Sequence, residues 1–288
     1  MLNGKIGTHL ILMKNLSLFL LLFLLGSNIY AQDNDSKSAD EIAKELSNPV
    51  GALANFTLQG TYTQWDGDLQ GASDQNTSTL VFMPTLPFKL WGGNLSVRPS
   101  FQISGSPVLN EQGEWGDEKG FGNIGLMSLW GKKTESGLLW GFGPTMFFPT
   151  RSDPALGSDQ FQLGPAALIG LLRSWGVIGG LWQHYFGIGS LEQGEERVNL
   201  GTLQIFYWFS VGKGWQIGGS PLQSANYVNG QDIDFSLPLN LGIAKTLVLG
   251  KMPLKFTVQG QYFVTRPDLV GPSWGIFFQI VPVIKLPW

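Results

Sequence analysis

Residues 94–104 read NLSVRPSFQIS, and their alternation decides the fold. Leu95, Val97, Pro99, Phe101 and Ile103 fall on one face of an extended chain, and Ser96, Arg98, Ser100, Gln102 and Ser104 on the other. Successive side chains of a strand point to opposite faces, so a period of two marks a sheet with one oily and one wet side. At 235–244, Phe235, Leu237, Leu239, Leu241 and Ile243 oppose Ser236, Pro238, Asn240 and Gly242. At 252–265, Leu254, Phe256, Val258, Tyr262 and Val264 oppose Lys255, Thr257, Gln259 and Gln261.

Working outward, twelve such runs lie near 54–63, 78–89, 94–105, 121–131, 137–149, 160–172, 175–187, 198–210, 215–224, 235–244, 252–265 and 274–288. Long polar connectors at 64–78, 105–120, 150–159, 188–197, 223–234 and 266–273 alternate with tight ones at 91–93, 131–136, 173–175 and 213–214. A membrane strand takes about 9–11 residues, and short periplasmic turns alternating with long external loops are the plan of an outer-membrane barrel. The expected fold is therefore all-β: a transmembrane antiparallel outer-membrane β-barrel of about 12 strands over residues 54–288, with one short helix before it.

Composition and charge agree. Of the 288 residues only 14% are charged, against roughly 25% in an average soluble domain, and 12% are aromatic, which excludes disorder. With no cysteine there is no disulfide framework, and a net charge of -3 gives no basic footprint for nucleic acid. Fifteen of the 21 acidic residues fall in the long connectors, whereas the tight turns carry Lys89, Lys132, Lys133, Arg173, Lys213, Lys245 and Lys251 against the single acid Glu135. Solvation of charge explains part of this. External acids holding divalent cations that bridge lipopolysaccharide are the sharper reading, with outer-membrane lipid as the other partner. Trp65, Trp91, Trp130, Trp175, Trp215, Trp274 and Trp288 lie at strand ends, where ring faces suit a membrane interface. Ile276, Phe278, Ile280, Pro282, Ile284, Leu286 and Trp288 form one apolar face ending in an aromatic residue, the signal by which the barrel-assembly machinery recognises such chains.

Ahead of the barrel, residues 1–31 read as a cleaved secretory signal, with an expected start at Met13, Lys14 before an apolar core at 18–25 (LFLLLFLL), and a cut after Ala31. That core falls short of the roughly 20 residues a spanning helix needs. The chain is thus expected in the outer membrane. Residues 32–53 form a periplasmic segment in which Ser38, Asp40 and Glu41 start a short helix that ends at Ser47, Asn48 and Pro49. Leu46, Asn48 and Pro49 belong either to a plug at the periplasmic mouth or to a plain exported leader. About ten of the sixteen prolines, among them Pro99, Pro165, Pro238 and Pro282, fall inside the runs. Proline cannot donate a ladder bond, so either bulges or other strand boundaries are expected there.

From residue 46 onward the chain resembles the MetA-pathway of phenol degradation family, outer-membrane barrels often called simply transporters and sometimes labelled neuromedin U. LSNPVGAL (46–53), WGFGPTMFFPT (140–150), QLGPAALIG (162–170), LPLNLGIAKTLVLGKMPLKFTVQGQYF (237–263) and GPSWGIFF (271–278) carry the resemblance. It implies a membrane barrel and an association with aromatic compounds; it supplies no catalytic or ligand residue.

Function is less legible than fold. Arg98, Lys255, Gln59, Gln102, Gln259 and Gln261 fall on the wet face and are the candidates to line the lumen, since a lipid-facing Arg or Lys costs about 2–4 kcal/mol at mid-membrane. The two cations attract an anion or simply solvate the pore. The first reading is a channel or transporter for a small hydrophobic or aromatic solute whose identity is open; the second is a structural or adhesion barrel with a closed lumen. An outer-membrane lipid hydrolase is third. Beyond the signal segment the sole histidine is His184, no catalytic set is assigned, and the chain is read as no enzyme. No cofactor is expected, since neither a phosphate-binding glycine loop nor a metal-ligand cluster stands out.

Overall fold

The computed structural model describes residues 38–110, 112–189, 196–228, 232–250 and 252–286. The signal segment 1–31, residues 32–37 and the terminal Trp288 lie outside the described residues. One helix, α1 (Ala39–Leu46), precedes fourteen strand segments: β1 (Asn55–Asp66), β2 (Asn76–Leu90), β3 (Gly93–Leu109), β4 (Trp115–Phe121), β5 (Ile124–Lys133), β6 (Leu138–Phe148) and β7 (Phe161–Arg173), then β8 (Gly176–Ile188), β9 (Asn199–Gly212), β10 (Trp215–Gly219), β11 (Leu222–Val228), β12 (Asp232–Leu249), β13 (Met252–Thr265) and β14 (Gly271–Pro282). Each pairs antiparallel with its neighbours, and β1 pairs with β14 from Leu58↔Ile280 to Asp66↔Gly271, which shuts the ring. Segments β4 and β5 share the partner β3, and β10 and β11 share β9 and β12. Each couple is one stave broken at Gly122-Asn123 or at Ser220-Pro221, so the fourteen segments make a closed 12-strand barrel.

One end of the barrel is closed by tight turns. At Trp91-Gly92 and Lys213-Gly214 all four residues have positive φ, from 49° to 78°, the backbone that a two-residue hairpin requires. At the other end, two connectors expected as loops are ladders instead. Ile103–Leu109 pairs with Trp115–Phe121, and Ser224–Val228 with Asp232–Ser236. In the first, Gly116, Asp117, Glu118 and Lys119 are all exposed, so the side chains lost the oily alternation while the backbone kept pairing; in the second, Ile233 and Phe235 still alternate with Asp234 and Ser236. A second correction concerns the last strand: β14 stops at Pro282, not at residue 288. Ile284, expected on the apolar outer face, is buried and its N–H donates to the Ala54 carbonyl at 2.9 Å, and Val283 packs with Ile42 and Leu53.

The strand prolines behave in three ways. At Pro238 the β12–β13 register shifts by one residue, and beside Pro272 the β1–β14 register shifts as well, both bulges. Pro87, Pro107, Pro253 and Pro282 keep a partner in register. Pro84, Pro99, Pro144 and Pro165 interrupt pairing without a shift. Bonding between β2 and β3 stops after Phe82↔Phe101 and resumes at Leu86↔Val97, so Pro84 and Pro99 face each other across the gap. Pro144 and Pro165 are cross-strand partners, and each turns its missing donor toward a break on its other side, β5–β6 or β7–β8.

The outer face is apolar between two aromatic belts. At the tight-turn end, Trp130 packs edge-on to Trp140, Trp175 leans on Phe209, and Lys132 and Lys245 sit over Trp140 and Trp215. At the long-loop end, Tyr62 meets Trp274, and Trp182, His184, Phe186 and Tyr227 form a stack.

Candidate functional site

Alternation along each stave sets the inward residues, and they divide the lumen into two walls. Staves β12, β13, β14, β1, β2 and β3 turn in mostly polar groups, among them buried Asn240, Thr246, Thr257, Gln259, Thr57, Thr85 and Ser96. Staves β5 to β9 turn in Met127, Leu129, Leu139, Ala166, Leu168, Val177, Leu181, Phe206 and Trp208, which form one buried cluster with Ala244 of β12 and Val50 of the N-terminal segment. A lumen that is oily on one side and wet on the other is the main feature the sequence did not disclose. Toward the tight turns both faces of these strands are apolar, so runs such as GPAALIG lose the period of two and read as continuous hydrophobic stretches.

All six lumen candidates lie on the polar wall, though they form no single site. Gln59 on β1 accepts a bond from Gln279 at 3.4 Å. On β13, Gln259 accepts from the Ser220 N–H at 2.8 Å and from Asn240 Nδ2 at 3.4 Å, and Gln261 lies two residues further along the same face. Gln102 and Arg98 share the inner face of β3, where Arg98 Nε donates to Thr85 Oγ1 at 3.3 Å. Lys255 on β13 is 5% exposed; its Nζ donates to Ser47 Oγ at 2.8 Å and lies 5.4 Å from the Trp208 ring centre. Three staves, β14, β1 and β2, separate the two cations.

The N-terminal segment crosses the tight-turn mouth. Helix α1 opens with a capping box between Ser38 and Glu41. Asp40 accepts from the N–H groups of Lys213 and Gly214 at 3.1 and 2.7 Å, which ties the helix to the β9–β10 turn. Lys44 Nζ reaches the Ser174 carbonyl on the β7–β8 turn at 3.4 Å, and Ile42 and Ala43 are buried. Beyond the helix, Ser47 meets Lys255, Val50 enters the apolar cluster, and Asn94 Nδ2 of β3 holds the Val50 carbonyl at 3.2 Å. The chain then passes straight into β1. Leu46 packs on the Ile42–Leu53–Val283 cluster, and Asn48 Oδ1 accepts from the Val50 N–H at 3.1 Å, so Asn48 and Pro49 make the bend that delivers Val50. On the side the helix leaves uncovered, a cavity of about 1170 Å³ is lined by Lys44, Glu45, Lys89, Lys132, Glu135 and Arg173 among others.

Two further observations bear on chemistry. A polar cluster stands toward the long-loop end of β6 and β8: Thr145 Oγ1 donates to the Tyr185 hydroxyl at 3.0 Å, and Gln183 Nε2 donates to the same oxygen at 2.7 Å. His184, its chain neighbour, points the other way, 4.4 Å from Phe186 in the outer belt and 2.7 Å from Asn199 Oδ1. At the long-loop rim, Asp66 pairs with Arg266 at 2.6 Å, Asp117 with Lys119 at 2.6 Å and Asp159 with Arg151 at 3.7 Å.

A closed antiparallel barrel with an apolar girdle, aromatic belts and a lined lumen is the fold of outer-membrane β-barrels. Among solved structures the chain is similar to an outer membrane channel from Pseudomonas putida F1, with a TM-score of 0.58 and 13% identity over 80% of this chain and 96% of that one. Looser likenesses are the NanC porin (TM-score 0.47, 9% identity, 80% of this chain and 100% of that one) and the β domain of the Bordetella autotransporter BrkA (0.47, 12%, 79% and 98%). No family model matches the chain, and no curated protein matches it either.

Proposed function

We propose that the chain is an outer-membrane channel for a small solute with an apolar part, and that residues 38–54 act as a plug in its periplasmic mouth. One observation carries this reading: the mouth is crossed by a segment held by a few discrete polar bonds, from Asp40, Lys44, Ser47 and Val50, and by the buried side chains of Ile42, Val50 and Leu53, rather than by a strand ladder. Bonds of that kind are each worth about 0.5–3 kcal/mol net, so a handful can be exchanged for water. The fold likeness to an outer membrane channel and the resemblance to the MetA-pathway of phenol degradation family support transport, the latter favouring aromatic solutes. The orientation that suits this reading puts the lysine-rich tight turns in the periplasm and the acid-rich rim against lipopolysaccharide.

Planar-bilayer recording tests it. The full chain should conduct rarely, and a variant lacking residues 38–51 should conduct steadily. If that variant stays folded, as judged by its unboiled migration on a gel, yet never conducts, the channel reading falls. The apolar cluster that joins Val50 to β5–β9 favours the alternative, a structural barrel with a permanently closed lumen, and a silent plug-less barrel is the outcome that alternative expects. A hydrolase is the weakest reading, because His184 lies in the outer belt, away from the lumen's hydroxyls.

A further inference from the structure

We infer that Arg98 is an anion-binding subsite of the lumen and that the solute is an amphiphile with a carboxylate head and an apolar body. This rests on the channel function proposed above and names its solute class. Among the described residues Arg98 enters no ion pair, and its one hydrogen bond, to Thr85 Oγ1, is long at 3.3 Å. A guanidinium has five donors, so this single bond leaves four, arranged in the planar fork that holds a carboxylate by two bonds at once. Two residues along the same face, Ser96 is 0% exposed, and its Oγ has no partner among the described residues. At a strand rise of about 3.3 Å the two Cα atoms are about 7 Å apart, so the guanidinium and the hydroxyl project from neighbouring positions of one inner face.

The other inward cation is already engaged. Lys255 is held by Ser47 and lies over Trp208, so Arg98 is the one left for a ligand. A half-buried charge without a counter-charge is costly, and a single cation balances a monoanion. A phosphate dianion would bring a second charge that Arg98 alone leaves uncompensated, since Lys255 lies three staves away over Trp208. The apolar body follows from register. Met127 stands directly across the ladder from Arg98 and is the first residue of the oily wall that continues through Leu129, Leu168 and Leu181. A head at Arg98 therefore places its tail on that wall.

Calorimetric titration of the full chain in lipid nanodiscs, with sodium hexanoate, 1-hexanol and inorganic phosphate as probes, tests the subsite without requiring transport. Hexanoate is expected to bind at least tenfold more tightly than hexanol or phosphate. Arg98→Gln should weaken hexanoate about tenfold or more and leave hexanol unchanged, and Arg98→Lys should keep part of the preference. Equal hexanoate binding by wild type and Arg98→Gln overturns the proposal, as does hexanol or phosphate binding as tightly as hexanoate. Should Arg98→Gln fail the unboiled-migration test of folding, the ratio between probes on the wild-type chain decides alone. Hexanoate binding by a barrel that never conducts upholds the subsite and removes transport. Conductance with no preference for hexanoate does the reverse.

Discussion

At the scale of single residues, the interruptions in the ladder explain where glycine is required. Gly143 and Gly164 stand beside Pro144 and Pro165, and a Cβ added at either would strike the carbonyl oxygen of Ser128 or of His184 on the adjoining stave. Gly164→Val should therefore lower stability by about 1–3 kcal/mol, the usual range for forcing atoms into filled space, and shift the urea midpoint in detergent accordingly. Tyr185 offers a second check. Its hydroxyl oxygen accepts from Thr145 and Gln183, and Gln183 also donates to Thr145, so Tyr185→Phe strips the buried Thr145 donor of its acceptor, at about 1–3 kcal/mol by the same measurement. The inward setting of Arg98, Gln102 and Lys255 was legible from strand alternation. That of Tyr185 was not, because His184 and Gln183 beside it are both polar and their run of apolar neighbours gives no preferred face.

At the scale of elements, the helix was easier to read than its destination. Ser38 and Glu41 form a capping box that sequence spacing announces, and Pro49 limits the helix on its far side. Nothing in the spacing says that Asp40 will cap a turn more than 170 residues away. Charge-assisted bonds to backbone N–H groups are among the stronger polar contacts. Asp40→Asn should loosen the mouth by about 1.4 kcal/mol, read as a roughly tenfold rise in the open fraction of single-channel records. An unchanged open fraction would place the hold on the segment elsewhere. Strand existence was legible almost throughout, since lipid enforces the period of two. The rim hairpins were misread as loops because Asp117, Glu118 and Lys119 mark solvent, and solvent is compatible with ladder and loop alike.

At the scale of the whole molecule, the ring is complete without its N-terminal segment, since every stave including the β1–β14 seam is paired to its neighbours. Removal of residues 38–51 should leave the strand content seen by circular dichroism and the unboiled gel migration unchanged. Collapse of the barrel on that truncation would instead make the segment part of its core, a role the Val50 cluster would then explain. The twofold character of the lumen belongs to this scale too. No one stave contains it, and it exists only once β5–β9 are curled to face β12–β3.

The crossing segment is continuous with the first stave at the very seam that closes the ring, with only residues 51–54 between Val50 and Asn55. Under the plug proposal it is a stopper on a short leash. Once dislodged it stays at about millimolar effective concentration over its own seat, as short covalent tethers dictate. Recapture is then swift and independent of how many barrels are present, so openings should come as brief flickers. The same peptide added free at micromolar levels should fail to shut a truncated barrel.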